Sequence, residues 1–508
     1  MPLAFSFNLP LRLFAFCWAV SFGAPTLAES QPMHHALGDV TTSIGSITFR
    51  DCELTSQQRS RTVECAYFTV PENHAAPDSR QLSLLVVRIP ARNPRGDASP
   101  FLAIAGGPGQ AASEAFLYLD RVFSDVTRNR DVYLIDQRGT GGSNPQHCDL
   151  DMDETLLVAP AEDQLRASAE ECLARFSGNP VYYTTSVAVQ DLERVRNALA
   201  LAPWNLFGVS YGTRVVQQYV RQYPDAVRTA TLDSVLPAPV TLGPDIALHS
   251  QRALEAFLRR CTEDTACAET FPDLTEGLQQ LLAELASDPR TVLYEDVRSG
   301  TPTEMTFSHA HLVGLLRLAL YSSERLSTLP PMLHQAYAND NFTPLARNAV
   351  AIADEVGNTL AMGMHNAIVC SEDVPFYAYD DATAAAIDAT YMGDLVLSGL
   401  EATCSVWPQG QVDEHFKSPL VTDVPVLVIS GALDPITPPA YGDAIMPGLS
   451  QGRHLVAAGQ GHTASVQGCM PTIVAQFINE ASTDNLPIAC MDRLDAAPLL
   501  NNFNGPTP

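Results

Sequence analysis

The chain has 508 residues and a formal net charge of −27. That length exceeds one small core, so two domains or one large domain with an insertion are expected. A hydrophobic fraction of 46% excludes a mainly disordered chain, and the acidic balance disfavours nucleic acid and anionic membrane surfaces as partners.

Residues 1–28 hold a single charge, Arg12, then an apolar segment and small residues, the pattern of a secretory signal peptide cleaved after Ala28. Cys17 follows Phe16 rather than a small residue, which argues against a lipoprotein cleavage site. With Arg12 removed the charge is near −28. Ten cysteines remain, without a Cys-x-x-Cys pair, so zinc and thioredoxin-like chemistry are not expected and disulfides are. Pairing neighbours gives 52–65, 148–172, 261–267, 370–404 and 469–490, although spacing alone leaves connectivity open. No later stretch of about 18 apolar residues exists to span a bilayer.

"RQLSLLVVRIPA" (80–91), "SPFLAIAGG" (99–107) and "RDVYLIDQRG" (130–139) read as buried strands. Helical patterns such as "SVAVQDLERVRNALA" follow them, and the alternation predicts an α/β fold with a mostly parallel sheet covered by helices. In "WNLFGVSYGTRVVQQYV" (204–220), a short apolar strand gives way to helical spacing at Val215, Val216, Tyr219 and Val220. Ser210 sits on the turn between Gly208 and Gly212, a Gly-x-Ser-x-Gly arrangement that lifts a serine hydroxyl above a sheet. An ordinary strand–turn–helix also yields this pentapeptide, so the partners of the serine decide its meaning. From 241 to 400 the pattern is mainly helical, as expected of an inserted cap. Strand–helix alternation resumes at "DVPVLVISGALD" (423–434) and "RHLVAAGQGH" (453–462). The expected organisation is a core at 29–240, the cap at 241–400, a C-terminal core part at 401–492 and a tail at 493–508, polar from 501 on.

A serine hydroxyl needs a base to take its proton and an acid to orient that base. Asp434 and His462 close the two later strands in the order Ser, Asp, His. Asp434 would fix the tautomer of His462, which would act as base and then as acid. "AGGPGQ" (105–110) exposes backbone N–H groups after a strand. Gly107, with Gly106 as its alternative, and the amide of Tyr211 are the expected oxyanion donors. "GGPG" is neither Gly-x-Gly-x-x-Gly nor a P-loop, no histidine has ligand spacing, and no metal or other cofactor is expected.

Together "GGPG", "DQRGTGGS", "GVSYG", "SGALDPITPP" and "GQGH" resemble the tripeptidyl aminopeptidase-like branch of the proline iminopeptidase family, exported α/β-hydrolase serine peptidases. The resemblance spans about 50 to 490 and implies Ser210 as nucleophile, Asp434 as orienting acid and His462 as base. It also implies an exopeptidase releasing short peptides or single residues from free N-termini, periplasmic or extracellular. The family usually has His before "GGPG"; Ala105 stands there instead and argues against strict proline specificity. Recognition of a protonated amine calls for a carboxylate, with Glu372 and Asp373 as candidates and Glu114 behind them. Asp136 and Arg138 are expected to tie loops together. A carboxylesterase with the same triad, and a non-catalytic binding protein on a hydrolase scaffold, are the competing readings.

Overall fold

The structure, a computed structural model, describes residues 37–56, 59–94, 99–148, 162–296 and 300–504. The expected signal peptide and residues 505–508 lie outside them.

Twelve strands occur among the described residues: β1 Leu37–Ile44, β2 Ile47–Ser56, β3 Arg59–Pro71, β4 Gln81–Ile89, β5 Phe101–Ile104, β6 Val132–Ile135, β7 Trp204–Val209, β8 Val227–Asp233, β9 Arg290–Glu295, β10 Pro302–Phe307, β11 Val426–Gly431 and β12 Gly452–Ala457. Ten form one sheet in the order β1-β2-β3-β4-β6-β5-β7-β8-β11-β12. The six from β6 to β12 run parallel, while β1 to β4 join antiparallel at one edge. Every residue of β5, β6, β7 and β11 is buried, which is why these strands read as unbroken apolar runs.

Side chains alternate across this sheet. Leu102, Ile104, Val426 and Val428 pack on one face with Val189, Val195, Val215 and Tyr219 of the helices Thr185–Ala198 and Tyr211–Gln222. Phe101, Ala103, Leu427 and Ile429 pack on the other with Phe123, Ile473 and Phe477, the last two from the helix Met470–Glu480. Truncating one such buried leucine to alanine costs about 2–5 kcal/mol, so both helical layers are needed to hold the strand ends in place.

Between β8 and β11 lies a largely helical block that includes Pro244–Glu263, Leu274–Ser287, His309–Ala319, Leu329–Asn339, Thr343–Thr359, Met362–Glu372 and Leu395–Cys404, with β9 and β10 paired as a separate hairpin. Phe257, Leu278, Leu316 and Leu333 centre an apolar core of its own. The C-terminal stretch before residue 501 is anchored on this block. Leu499 is buried in that helical core, Leu500 N–H donates to the Ser327 carbonyl at 2.9 Å, and Arg260 donates to the Ala497 carbonyl. The apolar run at 496–500 precedes the polar end at 501–508 and supplies the side chain that is buried.

All five neighbour pairings are disulfides: Cys52–Cys65, Cys148–Cys172, Cys261–Cys267, Cys370–Cys404 and Cys469–Cys490. Among the described residues no helix is long and apolar enough to cross a membrane.

Candidate active site

Ser210 follows β7 with φ 55° and ψ −125°, a region a non-glycine residue enters only under constraint. Its neighbours make the turn possible. A Cβ on Gly208 would lie 2.6 Å from the Gly212 carbonyl oxygen, and one on Gly212 would lie 2.5 Å from that of Ile104. Ser210 N–H donates to the Asp233 carbonyl at 3.0 Å, pinning the elbow to the end of β8.

The glycine loop after β5 runs against this serine. A Cβ on Gly106 would come within 3.1 Å of Ser210 Cβ and 3.7 Å of its Oγ. The corresponding direction at Gly107, φ 102°, faces Gly109, Gln110 and Leu360 instead. Ala361 N–H donates to the Gly109 carbonyl at 3.0 Å, and the His365 ring donates from Nδ1 to the Pro108 carbonyl at 3.3 Å. The helical block therefore grips the loop from above. Tyr211 opens the helix Tyr211–Gln222, and its hydroxyl is 2.7 Å from Thr185 Oγ1.

His462 Nδ1 lies 2.8 Å from Asp434 Oδ2. Asp434 is buried and also accepts from Ile436 N–H at 2.9 Å, Thr437 N–H at 2.9 Å and Thr437 Oγ1 at 2.8 Å. Burial alone would raise the Asp434 pKa, but the His462 charge and these donors hold it below its ordinary value. Burial likewise opposes the charged imidazole, yet Asp434 and then Asp233 outweigh it and raise the His462 pKa. With Nδ1–H directed at Asp434, Nε2 is left as the basic nitrogen. Among the described residues the Asp434–His462 hydrogen bond is formed, and none joins Nε2 to Ser210 Oγ. Catalytic hydrogen bonds commonly close only when substrate is bound.

What brings the two halves together is the end of β8. Val209 pairs with Asp233, so β7 and β8 finish side by side. Asp233 accepts from Ala464 N–H at 3.1 Å and Ser465 N–H at 3.0 Å, and Ser234 Oγ accepts from Thr463 N–H at 2.9 Å. From the helical block, the Tyr321 carbonyl accepts from His462 N–H at 2.9 Å, and the Tyr321 ring meets the imidazole edge-on at 4.9 Å. A serine on a constrained turn, an imidazole oriented by a carboxylate and a glycine loop against the serine thus meet at the ends of β7 and β8.

A family model described as alpha/beta hydrolase fold matches residues 99–468. The chain belongs to the alpha/beta hydrolase family. The hydrolase is 26% identical to the serine protease Hip1 of Mycobacterium tuberculosis over 82% of this chain and 85% of that one. It is 24% identical to the tripeptidyl aminopeptidase of Streptomyces lividans, over 85% and 84%. It is 26% identical to carboxylesterase B of Mycobacterium tuberculosis, over 85% and 86%.

Two expected binding residues of this hydrolase lie elsewhere than anticipated. Glu372 and Asp373 are fully buried. Asp373 holds Arg214 through contacts of 2.8 and 3.1 Å and accepts Leu242 N–H at 2.9 Å. Glu372 accepts from Thr185 N–H at 2.6 Å and Thr185 Oγ1 at 2.8 Å, with Arg214 at 3.6 Å. Burial pushes its pKa up to about 7 against the pull of Arg214. Both carboxylates join the helix behind Ser210 to the end of the helix Met362–Glu372, and neither faces a ligand. Glu114 is half-buried beside Asp136, and burial followed by that neighbour's charge raises its pKa to about 7.

Asp136 and Arg138 hold loops. Asp136 accepts from Ser113 and Gly142, and buried Arg138 grips Asp191 at 2.7 Å together with the carbonyls of Pro71, Glu72 and Tyr182. Sequence reasoning missed Asp233, Ser234, Tyr321, His365 and Thr437. Only Thr437 carried a signal, as a hydroxyl three residues past the candidate acid. Among the described residues no cluster of side chains suited to a metal ion occurs.

Proposed function

We propose that this hydrolase is an exported serine hydrolase working as an aminopeptidase, with Ser210, His462 and Asp434 as its triad. The observation that carries the reading is the buried Asp434–His462 pair, docked through Asp233 and Ser234 onto the strand beside the Ser210 elbow. In this reading Ser210 Oγ attacks the scissile carbonyl carbon while His462 Nε2 takes its proton. The amide of Tyr211 and the glycine loop, Gly106 or Gly107, receive the developing oxyanion. His462 then protonates the leaving amine, and water releases the acyl group by the reverse steps.

The names of the relatives support hydrolysis of peptide or ester bonds. The five disulfides suit the periplasm or the extracellular space. A carboxylesterase is the second reading, favoured by the engagement of Glu372 and Asp373 with Arg214, which takes away the expected amine-binding carboxylates.

A fluorophosphonate probe should label the wild type and leave Ser210→Ala untouched; labelling of that variant at another residue overturns the assignment. Tripeptidyl and single-aminoacyl amides with free N-termini, assayed beside N-blocked amides and short acyl esters, separate the two activities. Turnover of esters with no amide cleaved at any pH rejects the peptidase reading.

A further inference from the structure

The buried and half-buried arginines of this acidic chain find oxygen partners. Arg61, Arg88, Arg138 and Arg214 pair with carboxylates, and Arg130, Arg221, Arg228, Arg260 and Arg453 donate to carbonyl or amide oxygens. Arg317 differs from all of these. It is half-buried on the helix His309–Ala319, its Nε is buried without a hydrogen-bond partner, and among the described residues no carboxylate pairs with it.

The position of Arg317 is as informative as its isolation. Its helix ends against the base: a Cβ on Gly461 would meet the Leu320 and Tyr321 carbonyl oxygens at 3.2 and 2.5 Å, and Tyr321 holds His462 by backbone and ring. On the far side of the site His365 holds the glycine loop through Pro108. Arg317 stands four residues before Tyr321, one helical turn away, and its charge acts on the Tyr321 hydroxyl, which burial raises, and on the His365 ring, which burial lowers. The nearby carboxylates are engaged elsewhere, Asp434 with His462 and Asp373 with Arg214.

We propose that Arg317 receives an anionic group of the substrate, and that the hydrolase acts on esters or amides carrying a carboxylate close to the bond it cleaves. The proposal rests on the serine-hydrolase reading above. A half-buried guanidinium whose Nε lacks a partner pays for that burial, and a bound carboxylate completes it with paired, charge-assisted hydrogen bonds. The site then selects by what it lacks when empty, because a neutral analogue leaves the cation unsatisfied.

The test uses two matched pairs, with the anion on either side of the scissile bond. 4-Nitrophenyl hemisuccinate is compared with methyl 4-nitrophenyl succinate, and tetra-alanine with tetra-alanine amide. In the wild type kcat/KM should favour the anionic member of at least one pair by about ten- to a hundredfold, the range expected of a hydrogen bond to a charged group. Arg317→Gln should bring that ratio close to one, with Arg317→Lys in between, and melting temperature reports whether the variants fold. No preference in either pair, or a preference that survives Arg317→Gln, overturns the proposal. If nothing is turned over and Ser210 does not label, the hydrolase reading fails by itself. Calorimetric binding of succinate then decides the inference: binding by the wild type and not by Arg317→Gln upholds it, and equal binding or none rejects it.

Discussion

Thr437 Oγ1 stands 2.8 Å from Asp434 Oδ2, the same oxygen that His462 Nδ1 approaches at 2.8 Å. One carboxylate oxygen thus serves the base while a hydroxyl three residues on keeps it from turning away. Asp434→Asn should lower kcat by about 10⁴ by presenting a donor where the ring needs an acceptor. Thr437→Val should cost roughly ten- to a hundredfold, because it removes one hydrogen bond to a charged carboxylate, worth about 1.5–3 kcal/mol. Steady-state kinetics on any substrate that turns over checks both, and a drop under tenfold for Asp434→Asn would assign the orienting acid elsewhere.

The pH profile follows from the raised His462 pKa. Only the neutral ring accepts a proton from Ser210, so activity should rise with pH through a midpoint above the ordinary ~6.5. Stability carries the opposite sign for this group. A raised histidine pKa contributes stability that is present below about 6.5 and lost as pH climbs through the folded value. The lowered Asp434 pKa contributes stability above about 3.9 that is lost as pH falls through its folded value. A pH–kcat/KM profile that is flat down to pH 4 would contradict a histidine base.

Gly208 tests the elbow without touching a reacting atom. Its missing Cβ is what admits the Gly212 carbonyl at 2.6 Å and Val216 Cγ2 at 2.7 Å. Gly208→Ala should push the turn open and slow fluorophosphonate labelling of Ser210 at least tenfold. Unchanged labelling would mean that the turn has slack the geometry does not show.

Arg214→Met leaves Asp373 and Glu372 buried without their cation. Breaking a buried pair in this way costs about 3–5 kcal/mol. The loss should be larger at pH 8 than at pH 6, since Glu372, whose pKa burial raises to about 7, sheds its charge by protonation on the acid side. Denaturant titration at the two pH values reads this directly; equal losses would remove Glu372 from the account.

The disulfides should differ in worth by the loops they close. Cys370 and Cys404 are 34 residues apart, and Cys261 and Cys267 only 6. Chain entropy gives roughly 4 kcal/mol for the first and about 2 kcal/mol for the second. Replacing each pair by serines and comparing unfolding midpoints checks the order, which a larger loss at 261–267 would reverse.

The sequence carried the parts of the site that are local. The Ser210 turn, the strand-end positions of Asp434 and His462, and the runs that became β5 to β8 and β11 were readable because parallel strands buried on both faces leave unbroken apolar stretches. Strand β4 and the edge strand β12 were found by their apolar residues alone. The strands β1 to β3 went unread, because charged residues such as Arg50, Glu53 and Glu64 fill the outward positions between buried Phe49, Cys52, Leu54, Val63 and Cys65 and leave no continuous apolar run. Pairings across the chain were illegible for another reason. Glu372 and Asp373 looked free beside a cysteine, and nothing near them shows that Arg214, far earlier in the chain, lies opposite. Arg214 itself was the overlooked sign, as a lone charge in the buried half of a helix that otherwise avoids charge.

Gln460 Nε2 donates to the Asp495 carbonyl at 2.9 Å, and Gly459 touches Ala496, while Leu499 and Leu500 are seated among the helices. The chain's end is thus a tether with one foot beside the imidazole and the other on the roof of the cleft. Trimming the protein at residue 494 removes the Gln460–Asp495 and Leu500–Ser327 hydrogen bonds together, so the loop of His462 and the helical block lose a shared anchor.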